Sequence, residues 1–283
     1  TNLKRRKLTP PQCLMSSKPN GISMTNLSQL AHDDRKLLKS TRFATIYSAG
    51  QYAIKVLSKD FTVEPHNPNF ELSILARLSK KRDPHVIQLI DSRSVDDELE
   101  LLFPRYQMDL NELMRRDYKP SFSTVNPYYT LATKSAAQSE GGYRNKFDVD
   151  RYALDFTLQL ARGLEFLHLN DIIHRDIKPQ NILVAKDRRD SIALIITDFG
   201  ISYDCKDPQQ LSLEPLDNKI TDVSTSVYKA PELLFGVKNY TFAIDIWALM
   251  VMISQWFQTK TNNPSRHIPA MFEDGSGLFD DGE

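Results

Sequence analysis

Residues 174–181 read His-Arg-Asp-Ile-Lys-Pro-Gln-Asn, and seventeen residues after that asparagine the chain reads Asp198-Phe199-Gly200. The first segment supplies a carboxylate, Asp176, suited to accept a proton from a hydroxyl. Two residues on it supplies a cation, Lys178, and then an amide, Asn181, that can ligate a metal. The second segment adds another metal-binding carboxylate, Asp198, beside a glycine expected to let the backbone turn. An aspartate alone would read as a loop cap. Here eight consecutive positions and a second motif agree in order and spacing, and the set reads as a reaction centre.

At 283 residues the chain is long enough for one large domain or two lobes. The 36 basic and 36 acidic residues cancel, which points away from nucleic-acid and acidic-membrane partners. Cys13 and Cys205 lie far apart and fit no metal-ligand spacing, the usage expected in a reducing intracellular compartment. The six histidines are scattered. The longest strongly apolar run, Ile244 to Ile253, falls short of the roughly 20 residues a bilayer span needs. No signal-peptide pattern opens the chain. It begins with Thr, and Met24 is a candidate start; Lys4-Arg5-Arg6-Lys7 reads as a solvated tail or as a nuclear-import patch.

Residues 1–30 lack apolar periodicity and are expected to be disordered. Phe43–Tyr47 and Tyr52–Leu57, joined by Ser48-Ala49-Gly50-Gln51, predict antiparallel strands with a tight turn. Phe70–Leu78 spaces Leu72, Leu75 and Leu78 at helical intervals, with Glu71 off the stripe. Strand-like runs follow at Val86–Ile90 and Leu99–Phe103, then an interruption at Pro104 and a short helix over Asp109–Arg116. Residues 117–147 have no period and read as a disordered insertion. Asp148–His168 is the best helical pattern, with Val149, Tyr152, Phe156, Leu160, Leu164 and Leu167 in register and Asp148 as N-cap. Ile182–Val184 and Ile192–Thr197 predict a hairpin, and Phe242–Phe257, apolar nearly all round, predicts a buried helix. The order is a small β-rich lobe, a proline-marked connector and a helical lobe.

On the 174–181 and 198–200 segments, and on Tyr52-Ala53-Ile54-Lys55, the chain from about Leu37 onward resembles the eukaryotic protein kinases. Within them it resembles the cyclin-dependent-kinase-like branch, most of all through Tyr228-Lys229-Ala230-Pro231-Glu232-Leu233-Leu234-Phe235-Gly236. With the altered loop described below, it is most similar to the single-subunit CDK-activating kinases of yeasts. The resemblance implies a bilobal α+β fold over residues 31–283: an N-lobe at 31–103 and a partial C-lobe at 104–283, the later helices of which are expected to be missing.

The resemblance also implies roles. Asp176 is the expected catalytic base, Lys178 the cation on the transferring phosphoryl group, and Thr225 the residue bonded to Asp176. Asn181 and Asp198 are the expected Mg²⁺ ligands. Lys55 would grip the ATP phosphates, paired with Glu71 sixteen residues later. Leu38, Ile46, Ala53 and Leu183 would sandwich the adenine, with Phe103 before the connector and Pro104 and Tyr106 on the base edge. The same residues also read as ordinary core. Asp245 would anchor the catalytic loop, and Arg175 could bind a phosphorylated side chain, with Thr221 and Ser224 as acceptors.

Three departures matter. The glycines of the phosphate loop are replaced by Lys39, Thr41 and Ala44, which leaves the phosphates to Lys55 and Mg²⁺. The cyclin-binding helix pattern is replaced by Pro65-His66-Asn67-Pro68-Asn69-Phe70-Glu71-Leu72, which implies activity without a cyclin. Glu232 lacks its usual arginine partner within the chain. The expectation is a monomeric, ATP- and Mg²⁺-dependent serine/threonine kinase of the cytoplasm, and also of the nucleus. Its expected substrate is the activation-loop threonine of a cyclin-dependent kinase. The rival readings are a pseudokinase scaffold that binds such a kinase without catalysis, and a kinase of the same branch with other substrates.

Overall fold

The computed structural model describes residues 27, 30, 35–60, 63–119, 144–145, 149–186 and 191–256. Most of the tail and of the 117–147 insertion, the expected Asp148 cap, residues 187–190 and the chain beyond 256 lie outside them. Leu27 belongs to the stretch expected to be disordered. It is instead buried against Ala49, Ile54, Val56 and Leu102, and its N–H donates to Asp91 Oδ2 at 2.9 Å.

Strands β1 (Lys36–Ser40), β2 (Thr45–Ala49) and β3 (Tyr52–Ser58) form an antiparallel meander. Gly50 takes φ 60° in the β2–β3 turn, where a side chain would be strained. Helix α1 (Pro68–Lys81) starts on an Asn67 cap, whose Oδ1 accepts from the N–H groups of Asn69 and Phe70. Its buried face carries Glu71, Ile74, Leu75 and Leu78, so the expected stripe was rotated: Glu71 points inward and Leu72 is only partly covered. The run Val86–Ile90 is not a strand. Only Val86 bridges, to Ile196, and the next strands are β4 (Asp91–Val95) and β5 (Glu98–Pro104). The sheet order is β1-β2-β3-β5-β4, with Ala53 opposite Phe103 across β3 and β5.

Then come β6 (Met108–Asp109), α2 (Leu110–Asp117), β7 (Tyr118–Lys119), β8 (Arg144–Asn145) and the long α3 (Val149–Leu169). The α3 residues Phe156, Leu160, Leu164 and Leu167 are all buried. Gly163 lets α3 press on the next sheet, since a methyl there would sit 2.8 Å from Ile196 Cδ1. After β9 (Ile172–Ile173), β10 (Ile182–Lys186) pairs antiparallel with β11 (Ile192–Ile196) as the expected hairpin. The chain continues through β12 (Tyr203–Asp204), α4 (Pro208–Leu213), α5 (Pro231–Leu234) and α6 (Ala243–Trp256). Helix α6 is buried along most of its length, but Ile246 and Met250, four residues apart, are exposed among the described residues. No described helix is long and apolar enough to cross a membrane.

Candidate active site

The loop between β9 and β10 is fixed from below by α6. Asp245, 1% exposed, accepts from the backbone N–H of His174 and of Arg175, both at 2.9 Å, and meets His168 Nε2 at 2.9 Å. Backbone donors buried without an acceptor cost about 1–3 kcal/mol each, so this carboxylate sets the loop's path. Arg175 itself stands at φ 71°, a left-handed conformation that the surrounding bonds hold in place. His174 completes the frame, its Nδ1 accepting from the Asp176 N–H at 3.2 Å and its Nε2 meeting the Thr197 carbonyl at 3.0 Å.

Within this frame four expected residues meet. Thr225 Oγ1 donates to Asp176 Oδ1 at 2.7 Å, and Lys178 Nζ donates to Thr225 Oγ1 at 2.7 Å. Lys178 Nζ also lies 3.0 Å from Asp176 Oδ2. Asn181 Nδ2 donates to both the carbonyl and Oδ2 of Asp176, each at 2.9 Å, which leaves its amide oxygen as the atom able to ligate a metal. The Asp176 carboxylate is therefore oriented by three neighbours.

A second cluster joins the two halves of the chain. Lys55 Nζ lies 2.7 Å from Glu71 Oε1 and 2.9 Å from Asp198 Oδ1. Burial works against the Lys55 ammonium, but the two carboxylates outweigh it and hold its pKa above the ordinary lysine value. Lys55 in turn, more than any other neighbour, holds the Asp198 carboxyl well below the usual range. Glu71 goes the other way, since burial raises it despite Lys55. Asp198 adopts φ 67° while Gly200 does not take a positive φ. The turn expected of the glycine is thus made by the aspartate.

Among the described residues no group of three or more His, Cys, Asp or Glu side chains is placed to hold a metal. Asp198 and the Asn181 amide oxygen are hard oxygen donors of the sort that hold Mg²⁺ together with substrate phosphates and water, and the pair fits that ion.

Of the residues expected to enclose adenine, Ile46 stands opposite Lys55, Ala53 opposite Phe103, and Leu183 opposite Asp109. Phe103 is buried; Pro104 and Tyr106 are half-buried. Leu38 falls at the irregularity between Leu37 and Lys39 and is 46% exposed.

The glycine-free loop closes on itself. Thr41 Oγ1 accepts from the N–H groups of Phe43 (3.4 Å) and Ala44 (3.1 Å), and Thr41 N donates to Ala44 O at 2.9 Å. The amides that a glycine-rich loop would offer to phosphates are engaged by a hydroxyl. Two further residues escaped the sequence reading. His66 stacks on Phe43, and Glu214 takes both terminal nitrogens of Arg175. The only sequence signal for either was the unusual stretch before Glu71.

The chain matches the model of the protein kinase domain over residues 41–271. It is 49% identical over 247 residues to serine/threonine-protein kinase CAK1 of Saccharomyces cerevisiae, covering 85% of this chain and 67% of the relative. It is 28% identical to serine/threonine-protein kinase KIN28 of the same yeast, over 75% of this chain and 59% of that protein. Over 36% of its length it is 40% identical to cyclin-dependent kinase 7 of Caenorhabditis elegans, covering 27% of that protein.

Proposed function

Because this chain belongs to the protein kinase family, among its serine/threonine kinases, we propose that it phosphorylates the activation-loop threonine of a cyclin-dependent kinase, as a monomer and without a cyclin. The observation that carries the catalytic part is the meeting of Asp176, Lys178, Thr225 and Asn181 within hydrogen-bond distance. A pseudokinase scaffold would have no need to orient one carboxylate by three neighbours. Cyclin independence is supported by the Lys55–Glu71 pair at 2.7 Å, which is formed by the chain alone. In kinases that pair must be in place for transfer.

In this reading Lys55 holds the α- and β-phosphates of ATP, with Glu71 fixing the ammonium. Leu38, Ile46, Ala53, Leu183 and Phe103 enclose the adenine, and the backbone at Pro104 and Tyr106 meets its edge. Asp198 and Asn181 would hold Mg²⁺, which would supply charge neutralisation at the phosphates. Asp176 accepts a hydrogen bond from the substrate hydroxyl and aligns its oxygen with the γ-phosphorus. As the new P–O bond forms and the bond to the ADP oxygen breaks, Asp176 takes the hydroxyl proton. Lys178 neutralises the charge gathering on the phosphoryl oxygens, and Thr225 keeps Asp176 and Lys178 in register. Work in the cytoplasm and nucleus, and a part in cell-cycle control, follow from such a substrate.

The test is ³²P transfer from ATP to a purified, unphosphorylated cyclin-dependent kinase, with the full-length protein and its Asp176→Asn variant. Transfer to the activation-loop threonine that the variant loses is the expected result. Transfer only to other proteins would make it a kinase of another substrate class. No transfer to any serine or threonine substrate from a folded sample would leave the scaffold reading.

A further inference from the structure

His66 precedes the Asn67 cap of α1, and its backbone N–H donates to Val63 O at 2.8 Å. Its imidazole leaves α1 for the cleft. The ring stacks on Phe43, in the glycine-free loop, with centroids 3.6 Å apart and planes 16° apart. Its Nδ1 belongs to a knot of polar atoms around Gly200. A methyl built on that glycine would lie 3.4 Å from His66 Nδ1 and 3.5 Å from both Asp198 Oδ1 and Glu71 Oε2. The charged groups that act on the imidazole are Asp198, Lys55, Asp176 and Lys178, those that surround the transferring phosphate in the reading above. The side chain is only half-buried, so it can meet a ligand in the cleft.

We propose that His66 is a nucleotide-binding residue: stacked on Phe43 it holds the glycine-free loop over the cleft, and its ring nitrogen donates to the terminal phosphates of a nucleoside triphosphate. Two of the loop's backbone donors are spent, because Thr41 Oγ1 already accepts from the amides of Phe43 and Ala44. A histidine on the run into α1 does so without a close backbone approach, the service that glycines otherwise provide. The same side chain ties the loop to the helix that carries Glu71, so loop position and the Lys55–Glu71 pair are set together.

The assignment rests on the kinase reading for its ligand, and binding measurements keep the two apart. Mg-ATP and adenosine are titrated calorimetrically into the full-length protein and its His66→Ala and His66→Phe variants. His66→Phe keeps a stacking ring and lacks the nitrogen, and it guards against a folding defect in the alanine variant. The expected result is Mg-ATP binding weakened about tenfold in both variants, with adenosine binding within about two-fold of wild type. In steady state KM for ATP should rise by more than kcat falls. Mg-ATP affinity within about two-fold of wild type in either variant overturns the assignment, as does a wild-type protein that binds no Mg-ATP. Wild-type protein that binds Mg-ATP in this pattern yet transfers no phosphate refutes the kinase reading and keeps His66. Normal transfer with unaltered His66 variants does the reverse.

Discussion

Arg175 and Glu214 form a buried, two-pronged ion pair: Nη1 donates to Oε2 at 3.1 Å and Nη2 to Oε1 at 2.5 Å. The guanidinium lies over Tyr203, 4.4 Å from its ring centroid, and the arginine is 1% exposed. Glu214 Oε1 also accepts from the Ile220 N–H at 2.7 Å, so the carboxylate ties the catalytic loop to the segment after Asp198. Sequence reading left Arg175 as a receptor for a phosphorylated side chain. In the structure a carboxylate of the chain, Glu214, takes both terminal nitrogens of that arginine.

Two variants follow from this pair. Glu214→Ala leaves a buried guanidinium uncompensated and should cost about 3–5 kcal/mol of stability, read as a lowered midpoint in thermal unfolding. Thr221→Ala with Ser224→Ala should keep phosphate transfer within about two-fold of wild type, as should phosphatase treatment of the purified protein. A large loss in the double variant, with Glu214 intact, would mean that phosphorylation is needed after all.

Asp176→Asn removes the proposed proton acceptor and keeps the shape of the side chain. Turnover should fall by about 10²–10⁴-fold, the range for losing a positioned general base, while KM for ATP changes little. Thr225→Ala should cost less, because Lys178 and Asn181 still hold the Asp176 carboxylate. Steady-state kinetics on a serine or threonine substrate reads both. Equal losses would place Thr225 in the chemistry itself.

That the candidate-site residues come together was legible because each depends on spacing along short segments. Asp176, Lys178 and Asn181 share one loop, Lys55 sits on a strand, and Asp198 follows a strand. What sequence could not show is which way a side chain faces when polar and apolar positions compete. Glu71 was put off the apolar stripe of α1, yet it is buried, because Lys55 offsets the cost of its charge there. Val86–Ile90 has strand-like composition, but only Val86 bridges, with Leu102 O claiming the Ile90 N–H. His66 and Glu214 act through partners 23 and 39 residues away, Phe43 and Arg175, and no local period announces such contacts.

Lys55→Met should show a pH-dependent loss of stability. In the wild-type chain the depressed Asp198 carboxyl contributes stability above its unfolded pKa of about 3.9, lost only as pH falls through the lower folded value. The raised Lys55 contributes below about 10.4 and is lost as pH rises through its higher folded value, so the contributions of these two groups are flat between these limits. Asp198 is 47% exposed, so solvent screens much of its share. Without Lys55, Glu71 is left buried and unpaired with its pKa raised further. Its penalty begins above an unfolded pKa of about 4.3 and grows with pH. The drop in Tm relative to wild type should therefore be smaller near pH 5 than near pH 8, and equal drops at the two would refute the account.

The last prediction concerns the loop. Its residues 39–44 take no positive φ, so side chains are tolerated there without strain. The Thr41 hydroxyl spends the Phe43 and Ala44 amides within the loop, and that, more than any clash, is what deprives the phosphates of backbone donors. Restoring glycine at 39, 41 and 44 together should release both amides and lower KM for ATP at least several-fold, with a smaller change in kcat. Thr41→Val, which removes the hydroxyl and keeps a branched side chain, should give part of that gain. If the triple-glycine variant binds ATP no better than wild type, the phosphates are held by Lys55, the metal and His66 alone, and the loop serves only as the ledge on which Phe43 meets His66.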